Sequence, residues 1–190
     1  TSKTQPVGGG WGYKSISMEL SDLAREIEAA DAGFRLVYDQ TKGSRPTANM
    51  VEISGSGNSL DAGGKNLRFI QSTGQGSATV LSVERNASLS LSNVGNFDIS
   101  AEDNYRLVLA SSGSELNLQA KNIWLQNKVS EIGSNQSLVY GNANSTLHFD
   151  AENDFVALTD VSQVEDLSTV SYSLVETRDL DIHADNIYIG

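Results

Sequence analysis

From about residue 80 onward the chain repeats a short apolar doublet, two apolar side chains separated by one residue. It occurs at Leu81/Val83, Leu89/Leu91, Phe97/Ile99, Leu107/Leu109, Leu116/Leu118, Ile123/Leu125, Leu138/Tyr140, Leu147/Phe149, Val156/Leu158, Tyr172/Leu174, Leu180/Ile182 and Ile187/Ile189. Most doublets start seven to ten residues after the previous one, and Val129/Ile132 and Val161/Val164 fill the two gaps. A second similarity is superimposed: FDISAEDNY, LNLQAKNIW, LHFDAENDF and LDIHADNIY share apolar-x-apolar-x-Ala, a polar run with Asn or Asp, and an aromatic. Ala101, Ala120, Ala151 and Ala184 hold the shared position, expected where the chain bends close to a neighbour. Each unit reads as a short strand with one apolar face, ended by a turn of Asn, Asp, Gly or Ser. Two apolar side chains cannot be buried by one such unit. Stacking the units along an axis joins them into a continuous narrow core, the principle of β-solenoids.

Two windings satisfy this requirement. One chain coiling on itself takes roughly twenty or more residues per coil, and the compound pattern recurs at intervals of nineteen, thirty-one and thirty-three residues, which keep no constant register. An eight-residue unit suits three chains wound about one axis, each supplying a strand per layer, and closure by symmetry removes exposed sheet edges. The expected fold is therefore mainly β, with an intertwined trimeric β-helix or β-prism stalk over residues 80–190; a single-chain β-helix is the alternative. Phe97, Ile99, Leu116, Leu118, Leu147, Phe149, Leu180 and Ile182 are the expected stalk core.

The first eighty residues differ. Residues 1–15 carry Gly8, Gly9, Gly10 and Gly12 beside Pro6, too little core for independent folding, and Trp11 and Tyr13 favour a docking arm anchored in a partner's groove over the alternative, an arm folded back on its own body. Residues 16–79 are expected to form a collar. Within it, Ile16, Leu20, Leu23, Ile27 and Ala30 make one apolar helical stripe over residues 16–32, with Gly33 as the stop. Leu20, Leu23 and Ile27 fit either a short coiled coil or an ordinary amphipathic helix. Phe34/Leu36/Tyr38, Val51/Ile53 and Leu67/Phe69 alternate like strands, read as a small antiparallel β region.

Charge and chemistry narrow the function. With 13 Lys+Arg against 24 Asp+Glu the chain carries a net charge of −11, which argues against a nucleic-acid partner. There is no Cys, hence no disulfide and no thiolate metal site, and no apolar run approaches the length of a membrane span. Gly8 to Gly12 is not followed by the Lys-Ser/Thr of a phosphate loop, and no Ser sits in a Gly-x-Ser-x-Gly elbow. His148 and His183 each alternate with apolar neighbours, so both should face solvent rather than share a metal. Asp150, Glu152, Asp154, Asp160, Glu165, Asp166, Glu176, Asp179, Asp181 and Asp185 read as a solvated, repulsive face ahead of a glycosidase pair. DAEND and HADN turns lack the glycine-rich calcium nonapeptide. No catalytic residue, metal or cofactor is expected. The sequons at Asn86, Asn135 and Asn144 are coincidental in so Asn- and Ser-rich a chain.

Strands of the LNLQAKNIWLQ kind, below a short helix and a Gly-rich N-terminal arm, resemble the intertwined trimeric β-helices of tailed-bacteriophage spikes, fibres and head-decoration proteins over residues 80–190. The resemblance implies a non-enzymatic structural protein of the virion, a homotrimer attached to another virion protein through residues 1–15, without membrane insertion. Piercing spikes of this group often end in a His-x-His metal tip, whereas DIHADNIYIG holds only His183. One alternative is a fibre tip that binds a host-surface glycan through exposed aromatics such as Trp124 and Tyr188. A polysaccharide-degrading tailspike using the late carboxylates is the less favoured one.

Overall fold

The computed structural model describes residues 19–39, 49–72, 76–102, 104–129, 136–165 and 172–190. They form a β-solenoid of about four turns, which stack five levels of strand, beneath one short helix. The helix α1 (Leu20–Ala29) is followed by β1 (Gly33–Asp39), and the first coil is β2 (Val51–Ile53), β3 (Asn58–Asp61) and β4 (Asn66–Ser72). Three coils follow: β5 (Gly76–Val83) with β6 (Ser88–Glu102), β7 (Asn104–Ala110) with β8 (Glu115–Lys128), and β9 (Gln136–Gly141) with β10 (Thr146–Asp160). The last coil is β11 (Tyr172–Glu176), β12 (Leu180–His183) and β13 (Asn186–Ile189). Every pairing among these strands is parallel. They make two sheets, one ordered β1-β4-β6-β8-β10-β12 with β3 on β6 and β13 on β10, the other β11-β9-β7-β5-β2.

Each coil therefore has three faces: one strand of the smaller sheet, then the two halves of a long, bent path through the larger sheet. In the end coils the two halves are separate strands, β3 and β4 on β6, β12 and β13 on β10. The twelve doublets of residues 81–189 are these faces, three per coil. Leu60, Leu91, Leu118, Phe149 and Ile182 stand in one column, so successive coils take 31, 27, 31 and 33 residues. Here the structure corrects the expected winding: one chain supplies all three faces of each coil, and the ~8-residue unit is a face, not a layer. Two of the three spacings read as irregular are coil lengths. The third, nineteen, arose because FDISA lies on the second half of its coil, where Phe97 pairs with Ile123, whereas LNLQA and LHFDA occupy the first half. Ala120 and Ala151 do sit paired and buried at the bend, while Ala101 pairs with Asn127 at the far end of the path.

The antiparallel reading of the collar strands is corrected likewise. β1, β3 and β4 pair in parallel within the same sheet as β6, and β2 pairs in parallel with β5, so these strands stack directly onto the later coils. Period-two alternation is common to both pairings and does not distinguish them. Four doublets are one residue out of phase. Val108/Ala110 and Val139/Gly141 continue the inward columns of Leu81/Val83, in place of Leu107/Leu109 and Leu138/Tyr140, and Val175, paired with Val139, stands in that column in place of Tyr172/Leu174. Phe155/Ala157 replaces Val156/Leu158, because one extra residue between Ala151 and Asp154 shifts the register. Around Leu81 the smaller sheet is buried on both sides, Val80, Leu81, Ser82 and Val83 alike, so both alternations look apolar there.

The core follows from the register. Phe97, Ile99, Leu116, Leu118, Leu147 and Phe149 are buried, and Leu180 and Ile182 pack partly buried against them in the last coil. Phe69 and Phe97 meet edge to face, ring centroids 5.8 Å apart, and Phe149 and Phe155 are 5.3 Å apart. Each such side chain contributes roughly 1.5–3 kcal/mol of transfer free energy before conformational entropy is counted. The turns between sheets are equally repetitive. Ala87, Ser114 and Ser145 each donate a backbone N–H to the carbonyl three residues earlier, and the third residue of each turn, Asn86, Gly113 or Asn144, is left-handed at φ 58°, 72° and 61°. Asn tolerates that region better than other non-glycine residues. Gly113 has a further reason: a Cβ there would lie 2.3 Å from Oδ1 of Asn86 in the turn below.

One end of the solenoid is closed by α1. Ile27 is buried, and Leu20 and Leu23 pack beside it over the inward faces of Val51, Leu60 and Leu89, leaving a small apolar cavity of about 30 Å³. The helix is thus an amphipathic cap on its own solenoid, the arrangement a stack of repeats needs at a terminal unit. Lys65 ties it down by donating from Nζ to the carbonyls of Ala30 and Glu28, where a cation also complements the helix C-terminus. The extended cap residue is Ala30 rather than Gly33. Gly33 opens β1, where an added Cβ would lie 2.4 Å from the Asn66 carbonyl, so close backbone approach accounts for it.

Candidate interaction surface

The larger sheet presents its outward side chains in straight columns, because parallel in-register pairing places chemically equivalent positions above one another. At the entry to its second half runs an amide ladder. The Asn96 N–H donates to Oδ1 of Asn66 at 2.8 Å, Nδ2 of Asn122 to Oδ1 of Asn96 at 2.9 Å, the Asp154 N–H to Oδ1 of Asn122 at 3.2 Å, and Nδ2 of Asn186 to Oδ1 of Asp154 at 3.0 Å. Asn122, Asp154 and Asn186 belong to the polar runs of the compound pattern, and the ladder gives those runs a structural purpose: it satisfies backbone and side-chain groups where the path turns.

Two residues further along each strand comes the column Arg68, Asp98, Trp124, Val156, Tyr188. Its lower part is an ion pair, Arg68 Nε to Asp98 Oδ2 at 3.3 Å, and burial raises the Asp98 pKa despite the opposing pull of Arg68. Its upper part is apolar. Trp124 is 41% and Tyr188 55% exposed, while Val156, in register between them and pointing outward, is only 7% exposed. The next column holds Gln126, Leu158 and Gly190. Among the described residues the exposed large apolar side chains are Trp124, Leu158, Ile187, Tyr188 and Ile189, all on this second half of β8, β10 and β13.

The first half of the sheet is different in kind. Asn117, His148 and Asp181 form one outward column and Gln119, Asp150 and His183 another. His148 Nδ1 lies 3.5 Å from Asp181 Oδ2, and His183 Nε2 lies 3.7 Å from Asp181 Oδ1. Both imidazoles point outward, and a coil length of 33 residues brings them to the same carboxylate. Distance along the chain concealed that convergence. Among the described residues no group of three or more His, Cys, Asp or Glu is arranged to hold a metal ion.

On the smaller sheet the Arg106 guanidinium lies 4.5 Å from the centroid of the Tyr140 ring. Where sequence reasoning placed other features, the structure is specific. Leu20, Leu23 and Ile27 line the cavity under the helix. Trp11 and Tyr13 lie outside the described residues, as do Asn135 and Asp166. Asn86 and Asn144, the first residues of two sequons, are the left-handed turn residues described above. Asn127 was overlooked: it ends an inward row after Ile123 and Leu125, is buried, and neither its Nδ2 nor its Oδ1 has a hydrogen-bond partner. No helix among the described residues is long and apolar enough to cross a membrane. No protein-family model, characterised protein or solved structure matches the chain.

Proposed function

We propose that the chain is a non-enzymatic structural protein of a tailed-phage virion, a homotrimeric spike, fibre or capsid decoration whose solenoids stand side by side and whose residues 1–15 dock onto another virion protein through Trp11 and Tyr13. The observation that carries this reading is the construction of the solenoid at the end closed by α1, the first described element in chain order. There α1 covers the apolar interior with Ile27, Leu20 and Leu23, and Lys65 fastens it, so the arm precedes a closed platform rather than an open core. A rigid stack with a closed mounting end suits a projection. Each coil is held mainly by its neighbours, and force applied along the axis is shared by many inter-strand hydrogen bonds.

The surface supports the same reading. Ser90, Ser92, Asn117, Gln119 and Thr146 face outward on the larger sheet, and a net charge of −11 per chain makes neighbouring projections repel. Two experiments test the proposal. Native mass measurement is expected to give three times the 20.3 kDa chain mass; a monomer at micromolar concentration removes the trimer. Deleting residues 1–15 is expected to abolish attachment to particles while the far-ultraviolet circular dichroism stays that of a β-solenoid. Retained attachment of a folded truncated protein refutes the docking arm.

A further inference from the structure

We propose that His148, Asp150, Asp181 and His183 form a proton-operated clasp, which fastens the last coil to the rest of the solenoid in mildly acidic solution and slackens at neutral pH. The inference goes beyond the structural role and depends only on the pairing of β12 with β10, not on the trimer or on the arm.

The sequence contains two His and no Cys, so His148 and His183 are the side chains of a type whose charge ordinarily changes between about pH 5 and 8. Parallel pairing brings both to one place. His148 lies opposite Asp181, and Asp150 lies opposite His183. Residues two apart on a strand share a face, so the outward side of β10 and β12 carries a two-by-two array in which His and Asp alternate across the strands and along them. With neutral imidazoles the array holds two anions on one diagonal and nothing to offset them. Protonation of both imidazoles turns it into a checkerboard in which every adjacent pair is of opposite charge. Asp181 is already placed for this, with Oδ2 3.5 Å from His148 Nδ1 and Oδ1 3.7 Å from His183 Nε2. The His148 to Asp181 pair and the facing Asp150 and His183 join the two strands, while His183 to Asp181 stiffens β12 itself. Opposite charges directly across adjacent strands stabilise a sheet.

The surroundings favour the cationic imidazoles and add no competing switch. On β8 the neutral Asn117 and Gln119 lie beside His148 and Asp150, and Asn117 spends Nδ2 on Oε1 of Glu115 at 2.7 Å and on Oγ of Ser90 at 3.5 Å. The charged groups along the neighbouring backbone are Glu115 and Lys121 on β8, Glu152 on β10, Glu176, Arg178 and Asp179 ahead of β12, and Asp185 after it. Asp179 also accepts from Thr146 Oγ1 at 3.5 Å. Carboxylates outnumber cations in this set, and side chains of these types keep their charge between about pH 5 and 8.

The pairs of the clasp require a cationic imidazole and an anionic carboxylate together. Their contribution is therefore present on the acid side of the imidazole range, is lost as pH rises through that range, and is lost again as carboxylates take up protons near about pH 4. Both imidazoles and Asp181 are substantially exposed, so solvent screening keeps the effect modest. Its consequence is local. The coil it holds is the one that exposes Ile187, Tyr188 and Ile189.

The test is amide hydrogen exchange on the full chain at about pH 5.5 and about pH 7.5, with protection factors corrected for intrinsic exchange. The quantity read is protection in β12 relative to β8, which cancels any change shared by the whole fold. The expected result is a ratio roughly two- to tenfold higher at the lower pH. Asp181→Asn keeps the shape and removes the charge, and is expected to remove most of that difference. The double variant His148→Gln, His183→Gln is expected to abolish it. Three outcomes overturn the proposal: the parent ratio is no higher at the lower pH, the difference survives Asp181→Asn undiminished, or it survives the loss of both imidazoles. Should Asp181→Asn fail to fold, the double His variant decides the question alone, since both imidazoles stand exposed on the outward face.

Discussion

Two ends of the same columns behave differently. In the column Leu67, Phe97, Ile123, Phe155, Ile187, the first four side chains are buried and the fifth is 48% exposed. The adjacent column Phe69, Ile99, Leu125, Ala157, Ile189 repeats the contrast, ending at 49%. Leu67 and Phe69 belong to the first coil, yet they are covered, because α1 and β1 lie against that end. Residue type is nearly constant along each column and burial is not. Burial in a solenoid is conferred by the coils or cap on either side, so the stabilisation belongs to the interfaces between coils more than to any coil alone.

The most direct way to break that comparison is to shorten the same column at two heights. Phe155→Ala removes a ring packed against Phe149 and surrounded by coils on both sides, and is expected to cost about 3–5 kcal/mol of unfolding free energy. Ile187→Ala in the same column should cost less than about 1 kcal/mol. Urea denaturation of the two variants measures both, and equal losses would mean that burial by neighbouring coils is not what stabilises the column.

The closed end offers the second test. Ile27→Ala is expected to cost about 2–4 kcal/mol, as for other buried aliphatic truncations, with the pre-existing cavity of about 30 Å³ enlarged. If the cap acts as the interfaces between coils do, hydrogen exchange in β2, β3 and β4 should accelerate in this variant while β8 and β10 stay protected. Uniform acceleration throughout would instead make α1 part of one indivisible cooperative unit.

How far the sequence carries follows from the same geometry. The apolar doublets identify the faces of the coil, and Phe97, Ile99, Leu116, Leu118, Leu147 and Phe149 lie in the interior that their alternation implies. The helical stripe of Leu20, Leu23 and Ile27 is equally legible, since amphipathicity is a local property. Three things were not. A one-residue insertion after Ala151 flips which of Val156 and Phe155 points inward, and a pattern read two residues at a time has no means of locating a bulge. FDISA and LNLQA look alike because both are apolar strands followed by a polar turn, yet they occupy different faces of the coil. The amide ladder, the His148 and His183 convergence on Asp181, and the Trp124 to Tyr188 row depend on spacings between 26 and 33 residues, which become readable only once the columns are aligned. The arm with Trp11 and Tyr13 lies outside the described residues, so its expected role stands as a proposal.

Asn127 sharpens the comparison from inside the stack. It occupies an inward position that a purely apolar row would fill, with both amide atoms buried and unpaired. A buried amide without partners forfeits about 1–3 kcal/mol of solvation. Asn127→Leu, similar in volume, is therefore expected to raise stability by about 1–2 kcal/mol, an outcome opposite in sign to the other core substitutions. A loss of stability would indicate that a bound water completes the amide's hydrogen bonds.

The smallest expected effects distinguish two carboxylates on the larger sheet. Burial raises the pKa of Asp98, with Arg68 pulling it back in part, so the folded state holds this proton more tightly than the unfolded state does. Its unfavourable contribution is absent below the ordinary carboxylate range, grows as pH rises from the unfolded to the folded pKa, and is constant above that. Asp160 is opposite: hydrogen bonds from the Ser162 hydroxyl and from its backbone N–H, the latter 2.9 Å long, lower its pKa. Its favourable contribution is present above the ordinary range and is lost as pH falls through the folded pKa. Denaturation midpoints of Asp98→Asn and Asp160→Asn, measured between neutral and acid pH, should therefore diverge from the parent in opposite senses. The parent loses ground to Asp98→Asn as pH rises and to Asp160→Asn as pH falls. Parallel curves for the two variants would mean that neither the burial of Asp98 nor the turn at Asp160 survives in solution as the fold requires.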